Sequence, residues 1–225
     1  MMDAPADRRW GLLTRRPTWR PTLLGWLCLG AGAAAAAFVL LRIIAPFLLV
    51  TERSDTRVLV VEGWVAEIVS TEDVTEEIER GHYETIYLTG GPFGRTDLLP
   101  GIRNYPELMH MVLVRKGIDS SRMVLVPCPD IPKDRTYASA VALRDWFAAH
   151  GRAVPALNLY TLGAHARRSR LLFEEALGSG TDVGIVAGVD NRYDKDHWWR
   201  TSTGVRTIID ETVAYLYARL IFRPW

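Results

Sequence analysis

The sequence predicts an α/β fold: a three-layer Rossmann-like sandwich around a mostly parallel sheet of about five strands, preceded by one transmembrane helix. Three observations carry this. Short apolar runs alternate with longer segments of helical period through residues 57–222. The run at 57–62 is continuously apolar rather than alternating, the habit of a strand buried on both faces of a parallel sheet. Ahead of them, residues 22–41 form an unbroken apolar stretch.

That stretch comes first in the chain. Twenty helical residues rise about 30 Å, the thickness of a hydrocarbon core. Arg8, Arg9, Arg15, Arg16 and Arg20 precede it, against Asp3 and Asp7. The positive-inside rule then places the N-terminus in the cytoplasm and the rest of the chain outside. A cleaved signal peptide would need an apolar core of about 7–15 residues followed by small residues. The alanine run at 33–37 supplies small residues, but Phe38-Val39-Leu40-Leu41 continues the apolar segment and favours an uncleaved anchor. The expected partition is a basic tail at 1–21, a membrane helix at 22–42, a short linker at 43–56 and the α/β domain at 57–225. Residues 43–50 are apolar but contain Pro46, so they either extend the helix or lie against the domain.

The charge divides the same way. Residues 1–51 hold six basic and two acidic residues, and residues 52–225 hold 21 basic and 24 acidic. The domain is acidic on balance, which excludes a basic nucleic-acid binder. Its partner is the lipid bilayer, through residues 22–42. The two cysteines are Cys28, in the span, and Cys128, so no internal disulfide is expected.

The domain reads in order as follows. Residues 57–62 are a strand ending at Gly63. Residues 70–80 open with a capping serine and acids and close at Gly81, a helix with both of its end signals. A strand at 84–89 stops at Gly90-Gly91. A helix at 104–116 is followed by Gly117. A strand at 122–127 leads through a polar loop to a helix at 136–150. A strand at 157–161 runs straight into the helix that begins near His165. A strand at 181–187, a long polar and aromatic loop at 188–203, and a helix at 206–222 complete the chain.

In such a fold ligands bind outside the carboxyl ends of the strands. The unusual residues fall there. His165 and Arg168, one turn apart at a helix N-terminus, share a face and suit acid–base or donor chemistry beside an anion. The alternative is a capping histidine and a solvated arginine; Arg167 and Arg170 fall on other faces as surface charges. Thr89, Gly90 and Gly91 form either an anion nest or a tight turn. Arg135 and Thr136 open a helix on the same edge, where Asp134 or Thr136 also suits an N-cap. Glu62 and Gly63 end the first strand. Glu107 either reaches the edge or complements its helix dipole. Asp190, Asp194, Asp196 and His197 suit a solvated loop better than a cation site, and no metal-ligand spacing occurs. Trp198 and Trp199 suit either a pocket wall or the membrane interface, and Trp225, at the end of a helix flanked by Arg219 and Arg223, the interface. No nucleophile elbow, zinc-protease helix or cysteine pair is present.

Three stretches make the domain similar to the YdcF/SanA/ElyC family of bacterial envelope-associated domains of unknown function. They are Tyr87-Leu88-Thr89-Gly90-Gly91, Arg135-Thr136-Tyr137-Ala138-Ser139-Ala140, and Thr161-Leu162-Gly163-Ala164-His165-Ala166-Arg167-Arg168-Ser169 with Phe173. The chain differs at Val61-Glu62-Gly63-Trp64, where relatives are glycine-rich, at Arg135, where asparagine is common, and at Leu162, where serine is common. The resemblance implies a single-pass protein of the bacterial inner membrane, its domain on the periplasmic side. It also implies a role around peptidoglycan or lipid-linked glycan precursors, with an anionic envelope intermediate in the pocket. No cofactor is named by any motif; S-adenosylmethionine or a nucleotide enters by analogy with a relative alone.

Overall fold

The computed structural model describes residues 8–9, 13–14, 21–67, 72–92 and 101–224. The chain divides into two compact units, residues 1–40 and 41–225. In the first, Arg8–Arg9 pairs antiparallel with Leu13–Thr14. Helix α1, Leu23–Leu48, begins in the first unit and ends in the second, and it is long and apolar enough to cross a membrane.

The second unit is built on five parallel strands: β1 (Val58–Glu62), β2 (Thr85–Gly90), β3 (Met123–Pro127), β4 (Ala156–Leu162) and β5 (Asp182–Gly188). Helices α2 (Glu72–Arg80), α3 (Tyr105–Arg115), α4 (Arg135–Ala149), α5 (Ala166–Leu177) and α6 (Ser202–Leu220) connect and cover them. The spatial order is β3-β2-β1-β4-β5, all pairs parallel. The expected sheet and helix count are therefore found, with boundaries moved by a residue or two, or by four at the start of α6.

Alternation along each strand feeds two cores. Leu59 and Val61 of β1 and Ile86 and Leu88 of β2 pack with Val74, Ile78, Met109 and Leu113 of α2 and α3. Val60, Tyr87, Leu157 and Leu159 face the other way, onto Tyr137, Leu143, Phe147, Phe173 and Ala176 of α4 and α5. Burial on both faces explains why the strands read as continuous apolar runs. Since Glu62 is in register with Val60, it emerges on the α4–α5 side.

The structure moves the expected boundaries at the start of this unit. The helix does not end at residue 42 but, as one of the two readings of residues 43–50 allowed, runs to Leu48 through Pro46. A proline forfeits one helical hydrogen bond. Here the last turns are held by packing: Ala45 and Leu48 are buried against Ala164, Tyr193, Trp198 and Ile208, and Trp198 Nε1 donates to the Leu41 carbonyl at 3.1 Å. Residues 49–56 are not a free linker either. Glu52 exchanges backbone hydrogen bonds with Ile185 on the outer edge of β5, at 2.8 and 2.7 Å. Asn158 holds the Ser54 backbone on both sides, at 2.8 and 3.1 Å. Arg53 grips buried Glu77 with two bonds, and Glu77 also accepts from Tyr83.

Candidate functional site

The strand order reverses between β1 and β4. At such a switch point the loops leaving two neighbouring strands diverge to opposite faces and open a crevice. A cleft of about 560 Å³ lies there, lined by Glu62 and Trp64 after β1, Gly90 and Gly91 after β2, Arg135, Thr136 and Ser139 of α4, and His165 and Arg168 of α5.

The β4–α5 junction is tight. Gly163 has φ +49°, a left-handed value glycine adopts without strain, and a β-carbon there would sit 3.2 Å from that of Asp190. One short 3₁₀ turn then delivers His165 as the cap residue of α5, in helical conformation and with no capping hydrogen bond from its side chain. The imidazole thus does not cap its own helix, and it lines the cleft. Trp64 packs its ring edge-on at 4.7 Å between centroids.

What fixes the imidazole comes from α6. Glu211 receives Arg168 in a bidentate pair, Nε to Oε2 at 2.8 Å and Nη2 to Oε1 at 3.1 Å. His165 Nδ1 lies 2.9 Å from Glu211 Oε1 and 2.9 Å from Arg168 Nη2. One nitrogen cannot donate and accept together, so these contacts describe two proton positions. With the proton on Nδ1 the imidazole donates to Glu211 and Nε2 is a base. With the proton on Nε2, Nδ1 accepts from Arg168 and Nε2 is a donor. Nε2 itself has no hydrogen bond among the described residues.

The charges are settled by the same contacts. Burial pushes the Glu211 carboxyl up, but the hydrogen bond and charge of His165 and then of Arg168 outweigh it and hold it at about 2. Burial disfavours the Arg168 cation, yet Glu211 and, more weakly, Glu62 raise its pKa. Arg168 therefore enters the cleft with its charge already balanced and its third nitrogen directed to Thr136 Oγ1 at 3.4 Å. It orients His165 and does not stand open for an anion.

Glu62 forms part of the lining, only 2% exposed, and accepts from Ser169 Oγ at 2.9 Å. At the rim, the exposed Arg135 side chain has no hydrogen bond or ion pair among the described residues and sits on the first turn of α4. Asp134, the residue before it, has φ +55° and gives that helix end no side-chain cap. The cleft thus combines a carboxylate deep inside with a cation at its rim. No family model, curated protein or solved structure matches the chain.

Seven of the ten expected residues line the cleft: Glu62, Gly90, Gly91, Arg135, Thr136, His165 and Arg168. Three do not. Thr89 is buried in β2, its hydroxyl 3.5 Å from the Val61 carbonyl. Gly63 is pressed on the α3 start, where a β-carbon would come within 2.7 Å of the Tyr105 carbonyl group. Glu107 closes a capping box on α3: Asn104 accepts from the Glu107 amide at 2.9 Å, and Glu107 accepts from the Arg103 amide at 2.7 Å.

The weaker candidates resolve similarly. Asp190 is paired with Arg192 at 2.6 Å. Asp194 caps the 195–200 turn and holds His197 at 2.8 Å. Among the described residues no group of three metal-ligating side chains occurs. Arg167 is no free surface charge: it donates to the Phe47 carbonyl and stacks 4.0 Å over the Phe47 ring. Arg170 bridges Glu52 and Glu174.

Glu211 and Ser169 were not foreseeable as site residues from motif spacing. The one signal for Glu211 is positional: it is the acid in the inward series Ile208, Glu211, Tyr215, Ala218 of α6, where every neighbour is apolar or aromatic.

Proposed function

We propose that the protein is a membrane-anchored enzyme of the bacterial cell envelope. It acts on a phosphorylated or lipid-linked glycan precursor bound in this cleft, with His165 as the acid–base residue. The observation that carries this reading is the imidazole whose Nδ1 is held by Glu211 and Arg168 while Nε2 has no hydrogen bond among the described residues and lies at the cleft. A carboxylate behind a histidine sets its tautomer and stabilises the imidazolium that forms when Nε2 takes a proton.

The lining supports the substrate class. Trp64 and Tyr105 offer aromatic surface for a sugar ring, and Glu62 offers oxygens to its hydroxyls. Arg135 and the positive end of the α4 dipole suit a phosphoryl group. Arg135 takes over the anion contact expected of Arg168. The envelope location and the outward orientation rest on the apolar helix α1, the arginines ahead of it, and the similarity to the YdcF/SanA/ElyC family.

The test is turnover of isoprenoid-diphosphate-linked sugars by the full chain in proteoliposomes, wild type against His165→Ala. Loss of turnover with binding retained supports the reading. Equal turnover by both proteins overturns it. Binding by wild type with no product formed would favour a non-catalytic ligand-sensing module.

A further inference from the structure

Helix α6 is apolar on two faces. Its inner face is packed: Ile208 is 1% exposed and lies with the end of α1, while Ala218 and the adjoining Phe222 lie on the α4–α5 core. Its outer face carries Ile209, Val213, Leu216 and Leu220, spaced by four, three and four residues, with Tyr217 and Ile221 beside them. These six are 45–75% exposed. A helix that is hydrophobic all round is normally covered all round, and soluble surfaces seldom leave an apolar stripe of this length open.

We infer that this outer face of α6 lies against the bilayer that α1 enters, as an interfacial helix; the inference rests on the membrane-anchored reading above. Three observations favour lipid as the occupant. The last turns of α1 pack directly on α6, with Phe47 edge-on to Tyr215 at 5.4 Å between centroids. The end of α1, the chain's most apolar segment, is therefore a neighbour of α6, and Ile43 and Phe47 on it are exposed as well. Arg206, Arg219 and Arg223 are exposed on and after α6, against exposed Asp210 alone. Apolar side chains flanked by arginines are the composition of helices that sink into the headgroup boundary, where the guanidinium groups reach lipid phosphates.

The test is site-directed spin labelling of the full chain in vesicles of phosphatidylethanolamine with a minority of phosphatidylglycerol. Labels go on Leu216→Cys and Leu220→Cys in a Cys28→Ser background, with buried Cys128 left in place. Native Cys28 reports on α1, and Val114→Cys on α3, in the opposite helix layer, reports on water. The expected result is collision with oxygen severalfold above collision with a nickel chelate at positions 216 and 220, with the order reversed at 114. Nickel access at 216 and 220 equal to that at 114, with Cys28 still in the acyl region, overturns the α6 contact alone. Exclusion of both reagents with spin–spin broadening between copies also overturns it, by assigning the face to a second chain. An aqueous Cys28 overturns the anchored reading and this one with it.

Discussion

His165 Nδ1 stands 2.9 Å from a carboxylate oxygen of Glu211 and 2.9 Å from a guanidinium nitrogen of Arg168. The three groups form one unit in which Arg168 and Glu211 neutralise each other in a largely buried place, with side-chain exposures of 17% and 8%. Removing one member of a buried pair leaves an uncompensated charge, which costs about 3–5 kcal/mol, whereas removing both is often nearly neutral. Glu211→Gln is expected to destabilise the detergent-solubilised chain by about 3 kcal/mol. The double variant Glu211→Leu with Arg168→Met should recover most of that loss in thermal or urea unfolding. A double variant as unstable as the sum of the singles would show that the pair is not energetically coupled.

The same pairing fixes an acid limit. The Glu211 carboxyl is held at about 2, below its ordinary 4.5. A lowered acid contributes stability that is complete above the unfolded value and is lost as protons bind. Stability should therefore fall as pH drops from about 4.5 towards 2, and Glu211→Gln should flatten part of that fall. Glu77 is also held below its ordinary range: burial raises it, but the Arg53 and Tyr83 hydrogen bonds outweigh burial. Only the difference between wild type and the variant belongs to Glu211. Unfolding midpoints measured across this range check the slope.

Arg135 should matter for ligand and not for fold. Its side chain is exposed and forms no hydrogen bond or ion pair among the described residues. A charge-assisted bond to a phosphoryl group contributes about 1.5–3 kcal/mol. Arg135→Ala should then weaken binding of the phosphorylated ligand by about tenfold to a hundredfold, with an unchanged melting temperature. Calorimetric titration beside a thermal melt separates the two effects.

Gly90 closes β2 with φ +150°, and a β-carbon there would meet that of Tyr105 at 2.9 Å. Gly90→Ala should cost about 1–3 kcal/mol through backbone strain and displace Tyr105 from the cleft. Weaker sugar binding with phosphate binding retained is the expected signature, read by competition between the two halves of the ligand.

Much of this architecture is legible in the sequence because burial on both faces leaves a short continuous apolar run, as in 58–61. The glycine turns and the strand–helix junction at His165 follow from the same reading, since chain reversal needs them locally. What could not be read depends on contacts between distant segments. Glu211 follows Asp210 in a helix and looks like a second solvated acid until α6 docks on α5. Arg168 looked available for an anion for the same reason. Residue 42 looked like the end of the membrane helix because Arg42 and Pro46 stand there. Packing of Ala45 and Leu48 carries the helix past both. Residues 49–56 looked like a tether because pairing on the edge of β5 comes from backbone atoms, which have no sequence signature.

Chain order gives the Arg168–Glu211 pair a timing. The two are 43 residues apart, and all five strands leave the ribosome before Glu211 does. A nascent chain can therefore complete its sheet while the guanidinium of α5 still lacks its carboxylate. Domains tend to consolidate as they are synthesised, but here an unbalanced cation opposes closure of the α4–α5 layer until α6 arrives. His165 acquires its carboxylate contact only at that step.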